Sequence, residues 1–336
     1  MNKLTLTAIS AALLATGGFA TTAAAECGSV TIAEMNWASA EFMANVDNII
    51  LEEGYGCDVE LIPGATTTTF ASMNEKGQPD IAGELWANAV WDPLTKAREE
   101  GRLISANEGP ITDLGEGWWV LPHFAAAHPE LDTVEKLLEH PELFPHPEDP
   151  SKGAFYGCPA GWGCQLTNAN LFRAFDMEAK GWLLVDPGSA AGLDGSIAKS
   201  SDREDNWFGY YWAPTAVIGK YGLVLLGWES EWGGTENWDG CIVKPEQECA
   251  DPQATSYTES AVHSVVTRDF ADNNPEATQY ISTRVFPGPV MSGMLVYMNE
   301  NQAGGEDAAW EFLMNHQDVW TAWVPAEVAE KVIAKF

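Results

Sequence analysis

Tryptophan is the residue in this sequence whose placement most suggests a binding site. The chain contains 15 tryptophans in 336 residues, and some lie at the ends of predicted strands or in loops flanked by glycine and proline. In open α/β sheets, ligands bind in the crevice beyond the strand ends, so a contact role competes here with ordinary packing. The residues so placed are Trp37, Trp86, Trp118, Trp119, Trp162 and Trp212. Core packing is the expectation for Trp91, Trp182, Trp207, Trp310, Trp320 and Trp323.

A cleft lined by several indoles would suit a quaternary ammonium group. Such a group has no N–H to donate and carries a diffuse positive charge, which the electron-rich face of an aromatic ring attracts. One ring contributes on the order of 0.5–2 kcal/mol, whereas micromolar affinity needs about 8 kcal/mol. Three or four rings, together with burial of the methyl groups, are therefore sufficient, and one ring is not.

The cysteines indicate how one of these indoles is held. All six follow residue 26, and an even number of cysteines is typical of disulfides in an exported chain. Zinc is the alternative, but the sequence lacks C-x2-C spacing and histidine partners. A bridge across CPAGWGC (158–164) would fix Trp162 before a ligand arrives, so less ordering would be needed on binding. Of the 15 possible pairings, closeness in sequence favours Cys27–Cys57, Cys158–Cys164 and Cys241–Cys249.

Signatures of catalysis are missing from the sequence. It contains no G-x-S-x-G, H-E-x-x-H, P-loop or G-x-G-x-x-G motif, and no enzyme or required cofactor is expected. A secreted glycoside hydrolase is a distant alternative, because 49 acidic residues could include a catalytic pair. The net charge of −32 argues against a nucleic-acid partner, since polyanions repel each other.

A glycine- and acid-rich insert, residues 228–241, is predicted to be irregular. Flexible loops rich in carboxylate oxygens can bind calcium, so a structural Ca²⁺ is one hypothesis, and a calcium-dependent sugar-binding module is a second distant alternative. The loop lacks EF-hand spacing, and a solvated acidic loop is the simpler interpretation. The candidate ligands would be Glu229, Glu231, Glu236 and Asp239.

Residues 1–25 predict a secretory signal peptide. They combine an early lysine, a short apolar stretch and three alanines before Glu26. Later apolar runs fall short of the roughly 18–20 residues of a transmembrane helix. We therefore expect a soluble exported protein that does not span the membrane.

Predicted strands alternate with predicted helices along most of the mature chain. This alternation favours parallel strand pairing and an α/β fold. No internal repeat is evident. The predicted strands are 29–37, 58–62, 80–83, 153–156, 181–185 and 290–297, and the predicted helices are 40–53, 67–75, one starting after Pro93, 133–139, 168–175 and 306–319.

Several segments resemble the substrate-binding proteins of ABC importers for glycine betaine, proline betaine and choline, over nearly the whole mature chain. They are VTIAEMNW, PDIAGELWANAVWDP, GWWVLP, CPAGWGC, FGYYWAPTAVIGKYGLVLL and DAAWEFLMNHQDVWTAW, of which CPAGWGC and YYWAP are the most specific. The resemblance implies a type II periplasmic binding protein with two α/β lobes, a hinge and a ligand cleft between them. It implies one lobe from residues 26–118 and 262–336, and a second from 119–261.

The resemblance also implies an aromatic cage around a trimethylammonium group. Trp86 in GELWAN, Trp162 in CPAGWGC and Trp212 in YYWAP match cage positions, and Trp119 in GWWVLP is expected as the fourth wall. Trp37 and Trp118 are weaker candidates. The implied partners are the permease subunits of an importer, and a monomer is expected.

Glu84 decides the expected ligand. Many members of the family place a proline and a polar donor just after the residue matching Trp86, whereas this chain continues Ala-Asn-Ala-Val. If Glu84 faces the pocket, it would repel a carboxylate and suit choline, or an N-oxide whose oxygen can share a proton with an acid. Taken with the acidic composition, this feature gives the chain its closest resemblance to the trimethylamine N-oxide-binding branch of the family, and trimethylamine N-oxide is the expected ligand, with choline and glycine betaine as alternatives.

Overall fold

The computed structural model describes residues 27–336, and the predicted signal peptide lies outside them. These residues form an α/β protein with two five-stranded mixed sheets. The strands are β1 (Ser29–Met35), β2 (Asp58–Gly64), β3 (Ile81–Trp86), β4 (Leu103–Asn107), β5 (Gly115–Val120), β6 (Gly153–Tyr156), β7 (Trp182–Val185), β8 (Phe208–Ala213), β9 (Val224–Leu225) and β10 (Val262–Thr267).

Helices separate most of these strands and complete the C-terminal part of the chain. They are α1 (Ala38–Ile49), α2 (Thr66–Lys76), α3 (Trp91–Glu99), α4 (Pro122–Ala127), α5 (Val134–Leu138), α6 (Gly163–Ala174), α7 (Ala190–Arg203), α8 (Ala216–Tyr221), α9 (Gly234–Asn237), α10 (Arg268–Asn273), α11 (Pro275–Thr283), α12 (Gly288–Asn301), α13 (Gly305–Asn315), α14 (Gln317–Trp320) and α15 (Ala326–Ile333).

Each sheet is the centre of one lobe. Lobe 1 has the strand order β2-β1-β3-β10-β4, and lobe 2 has the order β7-β6-β8-β5-β9. In lobe 1, β1 runs parallel to β2 and β3, whereas β10 is antiparallel to both of its neighbours. The central strands β3 (IAGELW) and β10 (VHSVVT) are buried almost throughout, including their polar residues.

The chain passes between the two sheets twice, and the two predicted lobe boundaries can be located relative to the strands. The second boundary, at residues 261 and 262, coincides with the start of β10. The first, at 118 and 119, falls inside β5, because all of β5 pairs with β8 in lobe 2. The chain therefore crosses into lobe 2 between β4 and β5.

The predicted strand at 290–297 is wrong, because this segment lies within helix α12. A proline stands in the first turn of α12, where it is compatible with a helix. Its buried residues recur at helical spacing, which the run of apolar residues in the sequence obscures. They are Met291, Met294, Leu295 and Met298.

Three disulfides brace the described chain, with the pairing favoured by sequence proximity: Cys27–Cys57, Cys158–Cys164 and Cys241–Cys249. Within residues 27–336, none of the helices combines the length and apolar character that crossing a membrane requires.

Candidate ligand-binding site between the lobes

A cavity lies where strand ends of the two lobes meet. The space between its lining residues measures about 460 Å³, and part of this space is open to solvent. Half of its lining residues are aromatic, and such residues are common in sites for small ligands. The aromatic lining residues are Trp37, Trp86, Trp162, Tyr210, Trp212, Trp238 and Tyr257, and the others include Thr66, Asn88, Glu116, Gly163 and Thr167.

Lobe 1 supplies two of the indoles from the ends of adjacent parallel strands. Trp37 follows β1 and immediately precedes α1, and Trp86 is the last residue of β3. Both indole N–H groups donate to the same carboxylate oxygen, Glu84 Oε1, at 2.7 Å from Trp37 and 3.0 Å from Trp86. The Glu84 side chain therefore lies behind the two indoles and does not line the cavity.

Lobe 2 supplies Trp162 and Trp212. Trp162 is the residue before α6, between two disulfide-bonded cysteines, and it follows Gly161, whose φ of +88° favours glycine. Trp212 lies near the end of β8. The two rings meet edge to face with centroids 5.0 Å apart.

Contacts between the lobes close one side of the cavity. The Trp162 ring lies 5.5 Å from the ring of Trp37 in an edge contact, and its N–H donates to Asn36 Oδ1 at 2.8 Å. Gly163 also lies close against lobe 1, because an added Cβ would lie 2.1 Å from the Cβ of Ala89. Only glycine fits there with the lobes in this arrangement.

The structure adds aromatic residues that the sequence did not indicate. Tyr210 precedes Trp212 by two positions in β8, so the strand pleat places both side chains on one face. This two-residue spacing from Trp212 is the sequence signal that could have identified Tyr210. Trp238 belongs to the acidic insert and Tyr257 to the segment before β10, and their rings lie 5.3 Å apart. The indole nitrogen of Trp238 is buried without a hydrogen-bond partner among the described residues, so it could donate to a ligand.

Glu116 is the carboxyl group that lines the cavity. It lies on β5 and accepts a hydrogen bond of 2.7 Å from the Tyr210 hydroxyl. Burial raises the pKa of Glu116 to about 7, although the hydrogen bond from Tyr210 opposes the rise. Near neutral pH the site therefore holds a carboxyl group that can either donate or accept a proton.

The raised pKa of Glu116 predicts how the stability of the unliganded protein depends on pH. A carboxyl whose pKa is higher in the folded state contributes stability below its unfolded pKa of about 4.5, and this contribution is lost as pH rises through about 7. Glutamine stays neutral at all pH values. As pH rises from 5 to 8, the free energy of unfolding of Glu116→Gln should therefore increase by about 1–3 kcal/mol relative to that of the wild type. Urea denaturation at both pH values measures the gain. If the two proteins differed in free energy of unfolding by the same amount at pH 5 and at pH 8, the raised pKa of Glu116 would be contradicted.

The remaining tryptophan candidates lie away from the cavity. Trp118 is fully buried in lobe 2, where its N–H donates to Asn168 at 2.7 Å. Trp119 donates to the backbone oxygen of Tyr211 at 2.9 Å, and the strand pleat places it on the opposite face of β5 from Glu116. Neither lines the cavity, where Trp37 and Trp238 join Trp86, Trp162 and Trp212.

The acids of the insert do not form a metal site in the structure. Within residues 27–336, no three His, Cys, Asp or Glu side chains are grouped so that they could hold a metal ion. Glu229 lies 3.8 Å from the Lys136 ammonium group. Glu229, Glu231, Glu236 and Asp239 are therefore not brought together as calcium ligands.

The fold and the sequence place the chain among known proteins. The family profile OpuAC, described as the substrate-binding domain of ABC-type glycine betaine transport systems, matches residues 28–315. The chain belongs to this family. Members of the family are binding proteins of transporters. A "Trimethylamine N-oxide-binding protein" of Pelagibacter ubique (strain HTCC1062) is 22% identical over 297 residues, which cover 87% of this chain and 89% of that protein.

Solved structures of similar proteins share the two-lobed fold. An ABC-transporter choline-binding protein in complex with choline matches with a TM-score of 0.70 and 17% identity, covering 92% of this chain and 98% of that one. Lactococcal OpuAC in its closed, liganded conformation with glycine betaine matches with a TM-score of 0.65 and 18% identity, covering 89% and 100%. At these identities, the likeness establishes the type II binding-protein fold.

Proposed function

We propose that the protein captures a small trimethylammonium compound, with trimethylamine N-oxide as the first candidate, and delivers it to an ABC permease. The observation that carries the proposal is the convergence of five indoles, two from lobe 1 and three from lobe 2, on one cavity. Several rings at about 0.5–2 kcal/mol each, together with burial of three methyl groups, supply the affinity that a single ring cannot.

The acid in the cavity favours the N-oxide. A protonated Glu116 can donate to the N-oxide oxygen, and its pKa of about 7 keeps a protonated fraction available near neutrality. The buried N–H of Trp238 is a second potential donor. The sequence led us to expect that Glu84 would share a proton with the N-oxide oxygen. Because Glu84 lies behind the indoles and Glu116 lines the cavity, we assign this role to Glu116 instead.

Choline is the second candidate, because ionised Glu116 could accept a hydrogen bond from the choline hydroxyl. Glycine betaine fits less well, because its carboxylate would face the carboxyl of Glu116. The first N–H groups of α6, at Gly163 and Cys164, could still receive a carboxylate, as helix N-termini do.

A thermal-shift and calorimetry panel tests the proposal. It compares trimethylamine N-oxide, choline, glycine betaine and carnitine. A ligand at 100 times its dissociation constant adds about 2.7 kcal/mol to the free energy of unfolding, so the physiological ligand should stand out. Glu116→Gln removes the acidic proton proposed to bind the N-oxide oxygen, and it also removes the carboxyl group that would face the carboxylate of glycine betaine. The substitution should therefore weaken N-oxide binding more than glycine betaine binding. Absence of any shift with all four compounds would refute the proposal.

Export to the periplasm, with the permease as partner, completes the proposal. It is supported by the signal-like residues 1–25 and by membership of a family of transporter binding proteins. The alternatives of a glycoside hydrolase and a calcium-dependent sugar-binding module have no support from the family match or from a metal-ligand cluster in residues 27–336.

A further inference from the structure

Glu84 is an acid that the ligand-contact hypothesis leaves without a role. It is 1% exposed, near the end of the central strand β3. One of its oxygens, Oε1, accepts three hydrogen bonds: from the indoles of Trp37 and Trp86, and from the Ser39 hydroxyl at 2.9 Å. The other oxygen, Oε2, is buried without a hydrogen-bond partner among the described residues.

We propose that Glu84 is a positioning residue that fixes two walls of the aromatic cage and places a negative charge behind them. The inference rests on the proposed function, because it assigns the rings of Trp37 and Trp86 to a cation. The two indoles come from different strands and meet at a single acceptor oxygen. A hydrogen bond to a charged acceptor is about twice as strong as a neutral one, so the shared oxygen restricts the orientation of both rings.

The charges beneath the cage support this role. Arg284 and Asp47 are both fully buried, and the Arg284 Nε lies 2.8 Å from Asp47 Oδ1. This ion pair lies beside Gly83, where an added Cβ would be 3.2 Å from Asp47 Oδ2 and 3.5 Å from Arg284 Nη2. The region therefore contains one arginine for two carboxylates, Asp47 and Glu84.

A cation in the cage would supply the missing positive charge. Burial raises the pKa of Glu84 to about 7, while hydrogen bonds from Trp37, Trp86 and Ser39 and the charge of Arg284 oppose the rise. A trimethylammonium group in front of the indoles favours the ionised form, because opposite charges attract strongly where water is excluded. The indoles thus lie between the positive ligand and the buried carboxylate.

The first test needs no ligand. Glu84→Gln keeps the side-chain shape but replaces the anionic acceptor by a neutral one. We expect the indole N–H proton resonances of Trp37 and Trp86, assigned with single Trp→Phe variants, to move upfield and to exchange faster with solvent. Asp194→Asn is the matched control, because Asp194 also accepts a short hydrogen bond, from Tyr211 at 2.7 Å. Unmoved Trp37 and Trp86 signals in Glu84→Gln would overturn the positioning role.

The second test separates charge from shape. Choline and its uncharged carbon isostere 3,3-dimethylbutan-1-ol are titrated into the wild type and Glu84→Gln. We expect choline affinity to fall about tenfold, while affinity for the isostere changes less than twofold. Equal losses for both compounds would overturn the charge role. Failure of the wild type to bind any trimethylated compound would refute the proposed function, and the resonance test would still decide whether Glu84 positions the indoles.

Ser39→Ala provides a second variant should Glu84→Gln fail to fold. It removes one of the three donors to Glu84 Oε1. The two indoles then share the oxygen without a third donor, so their N–H resonances should move downfield. Resonances that stay in place would count against the shared acceptor.

Discussion

Replacing Trp162 by alanine is expected to weaken binding of the trimethylammonium ligand about a hundredfold. The change removes one ring face, worth up to about 2 kcal/mol, and the hydrogen bond that joins Trp162 to Asn36 across the lobes, worth about 1 kcal/mol. It also removes the edge contacts with Trp37 and Trp212. Isothermal titration calorimetry with trimethylamine N-oxide measures the loss.

Trp310→Ala is the matched control for this variant. Trp310 lies in α13 of lobe 1, where its ring is 6.1 Å from that of Phe336, and it does not line the cavity. Its removal should change ligand affinity less than twofold. Similar losses in the two variants would indicate that general destabilisation, and not a missing cage wall, weakens binding.

Asp47→Ala is expected to lower the free energy of unfolding by about 3–5 kcal/mol. Both partners of the Asp47–Arg284 ion pair are 0% exposed, and Asp47 also accepts a hydrogen bond of 2.6 Å from Tyr280. Removing the carboxylate leaves the arginine charged and buried without the partner that its Nε contacts. Because a typical domain is stable by only 5–15 kcal/mol, the loss should be obvious in urea denaturation.

The exposed ion pair between Lys136 and Asp132 provides the control. Its atoms are 2.8 Å apart, but both side chains are in contact with solvent. Asp132→Ala should therefore cost no more than about 1 kcal/mol. If Asp47→Ala also lowered the free energy of unfolding by no more than about 1 kcal/mol, the buried pair would contribute little to stability. The double variant Asp47→Leu/Arg284→Met should recover much of the lost stability, since it buries no charge.

The sequence predicted the early part of lobe 1 better than its centre. The alternation of strands and helices up to β3 follows from local periodicity, and the structure confirms it. In contrast, β10 enters the sheet between β3 and β4 from a distant part of the chain, with Val262 opposite Trp86. No local pattern specifies such a pairing. The predicted strand at 290–297 failed for a related reason, since packing within lobe 1 decided between strand and helix.

Positions at strand ends and in the disulfide loop identified four of the five indoles of the cavity, but not the acid. Trp37, Trp86, Trp162 and Trp212 all line it. Whether Glu84 or Glu116 faces the cavity depends on strand register and pleat in two different sheets, which composition and spacing do not determine.

The place of Trp238 could not be predicted either, because it depends on long-range contacts of the insert. The Asn170 amide group on α6 donates to backbone oxygens of Ile242 and Lys244, at 2.9 and 2.8 Å. These hydrogen bonds hold the insert against the helix that begins beside Trp162. Sequence proximity gives no sign of them.

The division of the indoles between the lobes bears on how long a captured molecule stays bound. Trp37 and Trp86 belong to lobe 1, and Trp162, Trp212 and Trp238 to lobe 2, so separating the lobes leaves the molecule in contact with only one of these two sets of rings. Dissociation is then governed by the rate at which the lobes part, and residence time by the strength of contacts such as Asn36–Trp162. A permease that separates the lobes would therefore release the bound ligand without changing the conformation of any side chain in the cavity.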